Sequence, residues 1–233
     1  MLESVNVVKN FGNKAAVDGV SVRFEPGHVY AMLGPNGSGK TTWMKMAAGL
    51  IKPTSGQMLF DGAPVGIESR RHIAYMSTEP YFYAWMTAKD VGRYYQDFFE
   101  DFSYPRYAEL LKRMELSEEL KTRELSSGMM AKLKIAVTLA RDAQIYMLDE
   151  PFNGIDLLAR DEIRGCILEF VGEKKTMLLS SHLVEEMEAI ADRAVFLKKG
   201  KLVYQTDLEE MRTGEGKSMA DKYREIFRGA EEE

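Results

Sequence analysis

The sequence predicts an α/β fold: a mainly parallel sheet, an antiparallel β subdomain and a helical subdomain. Three observations carry the prediction. Short apolar runs at 28–33, 145–148 and 176–180 are separated by stretches of helical spacing, the alternation that yields parallel strands with crossover helices. Residues 34–42, reading G-P-N-G-S-G-K-T-T, join one such run to a helix-spaced segment. From about residue 80 to 135 the strand-like runs stop, and Tyr, Phe, Leu, Lys and Glu recur at helical spacing.

In chain order, residues 2–9 and 16–24 alternate apolar and polar side chains and read as strands. They turn at Gly12-Asn13, with Phe11 between them, and Pro26-Gly27 ends the second. A strand over 28–33 leads into the glycine-rich loop and then a helix over 42–50. Residues 53–56 form a turn, and Met58-Leu59-Phe60 a short strand closed by Asp61-Gly62. Residues 73–76 read as a buried strand. In the helical lobe, of about two to four helices, Thr87 caps one helix and Pro105 opens another. Ser126-Ser127-Gly128 precede a helix through Ala140. Strand 145–148, helix 161–171, strand 176–180 and helix 184–190 restore the α/β pattern, and 194–197 with 202–204 flank Lys199-Gly200 as a hairpin. From about 207 the chain is charged and helical, with a frayed E-E-E end. Residues 1–233 read as one domain.

With 233 residues, 45 % hydrophobic and 29 % charged, the chain has enough material for a substantial core. The net charge is -5 and basic residues are dispersed, which argues against nucleic acid as a partner. One cysteine, Cys166, excludes an intrachain disulfide and fits a reducing compartment. The N-terminus has no charged start followed by an apolar core, so no secretory signal is expected. No run reaches the roughly 18 apolar residues of a membrane span.

The chemistry begins at residues 34–42. They fit G-x-x-x-x-G-K-[ST], a phosphate-binding loop, and place the chain on a P-loop NTPase core. Gly34, Gly37 and Gly39 let the backbone turn tightly and approach a ligand, with Pro35, Asn36 and Ser38 between them. Successive backbone N–H groups then form an anion cradle beside a helix N-terminus. Lys40 reaches the β- and γ-phosphates, Thr41 holds Mg²⁺, and Thr42 continues into the helix. The run Ile145-Tyr146-Met147-Leu148 ends in Asp149 and Glu150, at the strand edge where parallel sheets bind ligands. Asp149 suits a metal beside Thr41, and Glu150 suits general-base or water-orienting work. His182 follows the strand at 176–180, at the same edge; by itself it is either a structural side chain or a γ-phosphate donor. Ser126 and Gly128 open a helix, which makes either an ordinary cap or an anion site serving another subunit's nucleotide.

Together these residues resemble the nucleotide-binding subunit of an ATP-binding-cassette (ABC) transporter, over nearly the whole chain. Residues 34–42 are similar to the family's Walker A loop, 125–129 (L-S-S-G-M) to its signature, 145–150 to Walker B, 153–156 (N-G-I-D) to the D-loop and His182 to the switch histidine. Phe11 matches the aromatic that stacks on adenine. The resemblance implies ATP as substrate, Mg²⁺ as cofactor, and a head-to-tail pair of ATPase subunits, identical or paralogous. Each chain's Ser126, Gly128 and Asp156 then complete the other's site in trans. It implies separate transmembrane permease subunits and a position on the cytoplasmic face of the membrane, with the isolated subunit soluble. The helical lobe, including the aromatic stretch at 81–85, is the expected dock; those aromatics serve either that surface or the packing of the lobe's own core.

Two departures bear on function. Ser127 and Met129 replace the usual Gly and Gln of the signature, and Met there is similar to bacterial drug, peptide and lantibiotic exporters. Thr78 stands where the family carries the Q-loop Gln that touches Mg²⁺, with Glu79 next. An exporter is the expectation. The alternatives are a soluble, non-transport ABC ATPase or a low-turnover, nucleotide-dependent regulatory module.

Overall fold

The computed structural model describes residues 1–79, 81–170 and 174–228. β1 (Leu2–Phe11) and β2 (Lys14–Phe24) form an antiparallel hairpin. β3 (Val29–Leu33) leads through the glycine loop into α1 (Lys40–Ala47). β4 (Ser55–Phe60), β5 (Ala63–Pro64), α2 (Ile67–Arg71) and β6 (Ile73–Met76) follow. α3 (Ala88–Phe98) and α4 (Tyr104–Arg113) precede a 3₁₀ turn (Thr122–Glu124) and α5 (Ser127–Leu139). Next come β7 (Ile145–Asp149), α6 (Leu157–Glu169), β8 (Thr176–Ser181) and α7 (Val184–Glu188). β9 (Arg193–Lys198), β10 (Lys201–Asp207), α8 (Leu208–Glu215) and α9 (Met219–Phe227) complete the described chain.

The strands build two sheets, ordered β2-β1-β4-β5 and β10-β9-β3-β8-β7-β6. The first is antiparallel throughout; in the second only the β9–β10 edge pair is antiparallel. β3 is buried at all five residues. Strands covered on both faces read as unbroken apolar runs, which is why V-Y-A-M-L does not alternate. Its side chains still sort by the period of two. Tyr30 and Met32 join Trp43, Met44 and the β1–β2 hairpin in one core, while Ala31 and Leu33 join Leu133, Leu148 and Ile163 in the other.

Register then fixes where chemistry can occur. Leu33 lies opposite Ser181, Asp149 opposite Ser180, and Met76 opposite Leu148. The loops leaving β3, β6, β7 and β8 therefore emerge along one sheet edge. The helical lobe is joined to the opposite edge, at the start of β6, by Arg141. Its Nη1 donates to the Ile73 carbonyl at 2.9 Å, its Nε to Asp101 Oδ1 at 3.1 Å, and its guanidinium lies 4.1 Å from the Phe99 ring.

Several boundaries differ from the sequence expectation. Phe11 is the last residue of β1 rather than a link between strands, because it pairs with Lys14. β4 begins at Ser55, inside the expected turn, through its pairing with Val8. α2 was not anticipated; five polar-rich residues carry no readable period. α6 starts at Leu157, not 161, because Asp156 caps it. Ser103 caps α4, and Pro105 is its second residue rather than the opener. Pro80 and the E-E-E end lie outside the described residues. Among the described residues, no helix is long and apolar enough to cross a membrane.

Candidate active site

Beyond Leu33 the chain folds back over the end of its own strand, and two glycines make that possible. Gly34 has φ +156°, and a Cβ there would lie 2.3 Å from the Leu197 carbonyl oxygen. Gly39 has φ +107°, and a Cβ would lie 2.5 Å from the Ala16 carbonyl oxygen. Neither backbone atom can step aside, so only glycine fits. Ser38 N–H donates to the Pro35 carbonyl at 3.1 Å, and α1 starts at Lys40. The first turn of α1 thus presents its unpaired N–H groups at the loop.

Lys40 is buried, and its Nζ donates to the Gly34 carbonyl at 2.7 Å. The same nitrogen lies 3.5 Å from Glu150 Oε1. Glu150 Oε2 in turn lies 2.9 Å from His182 Nδ1. Three loops, after β3, β7 and β8, thereby converge on one carboxylate. Glu150 holds φ +52°, a left-handed conformation uncommon for a residue with a side chain. It is fixed there by two hydrogen bonds from its N–H to Ser180, one to the carbonyl at 3.2 Å and one to Oγ at 3.0 Å.

Asp149 is fully buried beneath Glu150. Burial pushes its carboxyl above the ordinary aspartate range, while hydrogen bonds from Ser180 and Thr41 pull the other way. Ser180 Oγ donates to Oδ1 at 2.5 Å, and the Tyr75 hydroxyl to Oδ2 at 3.4 Å. The Thr41 hydroxyl and the Asp149 carboxylate are adjacent hard oxygen donors. Among the described residues no group of three or more His, Cys, Asp or Glu is placed to hold a metal. One hydroxyl and one carboxylate suit Mg²⁺, which keeps its waters and takes phosphate oxygens. Ser38 Oγ is buried without a hydrogen-bond partner among the described residues, an unspent donor within the loop.

Phe11, Asn36, Gly37, Ser38, Gly39, Lys40, Thr41, Thr42, Thr78, Glu150 and His182 line one open cavity of about 480 Å³. Gly34, Pro35 and Asp149 are not among its lining residues. Lys14, Ala16 and Asn153 also line it; Lys14 and Ala16 escaped the sequence reasoning because nothing local marks them. Ser180 escaped it too, although a hydroxyl ending a buried strand was a readable sign.

Ser126, Gly128 and Asp156 are not among the lining residues. Ser126 Oγ caps α5 by accepting from Met129 N–H at 3.2 Å, and Asp156 Oδ1 caps α6 by accepting from Ala159 N–H at 3.0 Å. A Cβ on Gly128 would lie 2.9 Å from the Gly154 carbonyl oxygen. The turn at 126–128 therefore packs against the turn at 153–154.

The profile of the family described as "ABC transporter" matches residues 17–153. The lantibiotic transport ATP-binding protein SrtF of Streptococcus pyogenes is 32 % identical over 211 residues, covering 90 % of this chain and 92 % of its own. The ABC transporter ATP-binding protein YtrB of Bacillus subtilis (strain 168) is 31 % identical over 215 residues, covering 91 % and 74 %. Among solved structures, the ATP-binding subunit of an ABC transporter superposes with TM-score 0.86 at 26 % identity, covering 97 % of this chain and 99 % of that one. A dimeric ATP-binding cassette in a post-hydrolysis state with ADP and Pi superposes with TM-score 0.79 at 24 % identity, covering 89 % and 99 %. The chain belongs to the ABC transporter ATP-binding family, and is an ATPase of that family.

Proposed function

We propose that this chain hydrolyses MgATP to drive a membrane permease from the cytoplasmic face, working as one of two ATPase subunits paired head to tail. The Lys40–Glu150–His182 convergence carries the reading. Glu150 accepts the proton of an attacking water as general base. His182, whose ring nitrogen contacts Glu150, keeps that carboxylate oriented and steadies the γ-phosphate. Lys40 exchanges its carbonyl partners for phosphate oxygens, and Phe11 stacks on the adenine. Thr41 and Asp149 would hold Mg²⁺, whose charge would offset that of the phosphates, and Thr78 lines the same cavity. Ser126, Gly128 and Asp156 complete the second chain's site.

Permease docking is supported by the helical lobe's apolar surface. Tyr83 and Trp85 are exposed and stacked, with centroids 5.9 Å apart. A cleft of about 360 Å³ between lobe and core includes Tyr75, Tyr81, Tyr95 and Phe99 in its lining. Likeness to a lantibiotic transport protein over nine-tenths of both chains favours export of peptide-like or drug-like compounds. Replacing Glu150 by Gln tests the core of the reading. Turnover should fall at least about 10²-fold while MgATP stays bound and holds chains together in size-exclusion chromatography. Hydrolysis at the parental rate removes Glu150 from its role.

A further inference from the structure

Lys134 lies two turns into α5 and is 5 % exposed. Its Nζ donates to three successive carbonyl oxygens, of Ser77 at 3.1 Å, Thr78 at 2.8 Å and Glu79 at 2.7 Å. An ammonium carries three donors and no acceptor, so all of its capacity is spent on this one loop. The Tyr81 ring lies 5.2 Å from the same nitrogen, a favourable place for a cation. Burying an ammonium is costly unless its hydration is replaced, and here three carbonyls replace it. A solvated helix-face lysine would make none of these contacts.

The loop has a second anchor. Lys45 Nζ bonds Glu79 Oε1 at 2.8 Å, and Lys45 lies one turn beyond Thr41 on α1. Residues 77–79 are thus strung between the helix that begins at the phosphate loop and the helix capped by Ser126. Thr78, at the centre of the span, lines the nucleotide cavity. Three hydrogen bonds from one α5 side chain to consecutive carbonyls tie the loop to that helix.

We propose that Lys134 is a positioning residue for ATP hydrolysis. It sets Thr78 against the cavity and makes any displacement of α5 a displacement of the 77–79 loop. The proposal rests on the reading of the cavity as a MgATP site. It extends that reading by assigning the link between the site and the helical lobe to a lysine on the signature helix.

The test compares Lys134→Met, which keeps the length and removes the donors, with Lys134→Arg, which keeps charge and donors. Steady-state ATPase activity and amide hydrogen exchange, with and without MgATP, are the measurements. In Lys134→Met, kcat should fall about tenfold to a hundredfold, the scale of a small misplacement propagated to the reacting atoms. KM should stay within about twofold, because the groups that bind nucleotide are untouched. The amides of 77–79 should exchange faster, while MgATP still protects residues 34–42. Lys134→Arg should recover most of the lost kcat. Because Lys134 acts through the loop, Thr78→Ala combined with Lys134→Met should cost no more than the larger single loss.

Parental kcat and parental exchange at 77–79 in the Met variant overturn the proposal, and so do losses that multiply in the double variant. If Lys134→Met does not fold, Thr78→Ala in the parental chain decides: parental turnover overturns the proposal, and a tenfold-scale loss at constant KM supports it. Failure of MgATP to protect 34–42 in the parental chain counts against the nucleotide reading instead, and the exchange rates at 77–79 then judge Lys134 alone.

Discussion

The phosphate-loop half of the site and the signature half are built in opposite ways. Around residues 34–42 the groups point at one another: Lys40, Glu150 and His182 touch, and Asp149 is bonded from below by Ser180. At Ser126 and Asp156 the side chains cap their own helices, and neither they nor Gly128 line the cavity. A site closed on itself binds its ligand alone. On the proposed reading, polar groups set on helix starts, against a neighbouring turn, serve the nucleotide of a second chain. On the proposed reading, the phosphate-loop half holds nucleotide and the general base, and the signature half contributes to turnover alone, so substitution should separate the two.

The largest effect that can break this contrast comes from Lys40→Ala. On the proposed reading the buried ammonium is the loop's one charged donor to phosphate, and losing such a group costs on the order of 10²–10³ in rate. Isothermal titration should also show MgATP affinity falling steeply. Ser126→Ala comes next. It should leave single-chain MgATP affinity within about twofold while lowering kcat by about tenfold or more, with about 1 kcal/mol lost from folding stability as the α5 cap is removed. If Ser126→Ala and Lys40→Ala lose affinity alike, the two halves are not separable and the contrast is wrong. If Ser126→Ala loses only stability, the serine is a helix cap and nothing more.

What the sequence made legible follows the same division. Strand, glycine loop and helix lie in immediate succession, so residues 34–42 announce their geometry locally. Apolar strands ending in Asp149-Glu150 and in Ser181-His182 announce which edge they share, because parallel register brings their ends together. Lys134 was invisible for a physical reason. A lysine in a helix reads as a solvated face, and its partners lie 55–57 positions away. Tyr75 and Ser180, which hold Asp149, were missed because their contacts cross between strands rather than along them. The start of α6 lies earlier than its apolar spacing implies because Asp156, which resembles a D-loop residue, caps that helix.

The smallest effect concerns how the lobe that carries the signature helix is anchored. Where the sheet is held by burial, α3 is held at its start by a polar box. Thr87 Oγ1 accepts from Asp90 N–H at 3.1 Å, and Asp90 Oδ2 accepts from Thr87 N–H at 2.9 Å and from its hydroxyl at 2.8 Å. The backbone hydrogen bond from Thr87, followed by the hydroxyl bond, holds the Asp90 carboxyl below the ordinary aspartate range. A carboxyl whose pKa falls on folding stabilises the native state at pH above its unfolded value. That contribution is lost as pH drops through the depressed folded value. Asp90→Asn should therefore lower Tm at neutral pH, and the gap to the parental chain should close as pH falls below the usual aspartate range of about 4. Hydrogen exchange at neutral pH should place the loosening in α3 and leave β3 and β7 protected. A gap that stays constant down to acid pH assigns the loss to something other than the carboxylate. Loosening that spreads equally through the central strands would mean that lobe and sheet unfold as one unit, and that the lobe cannot move without the nucleotide edge.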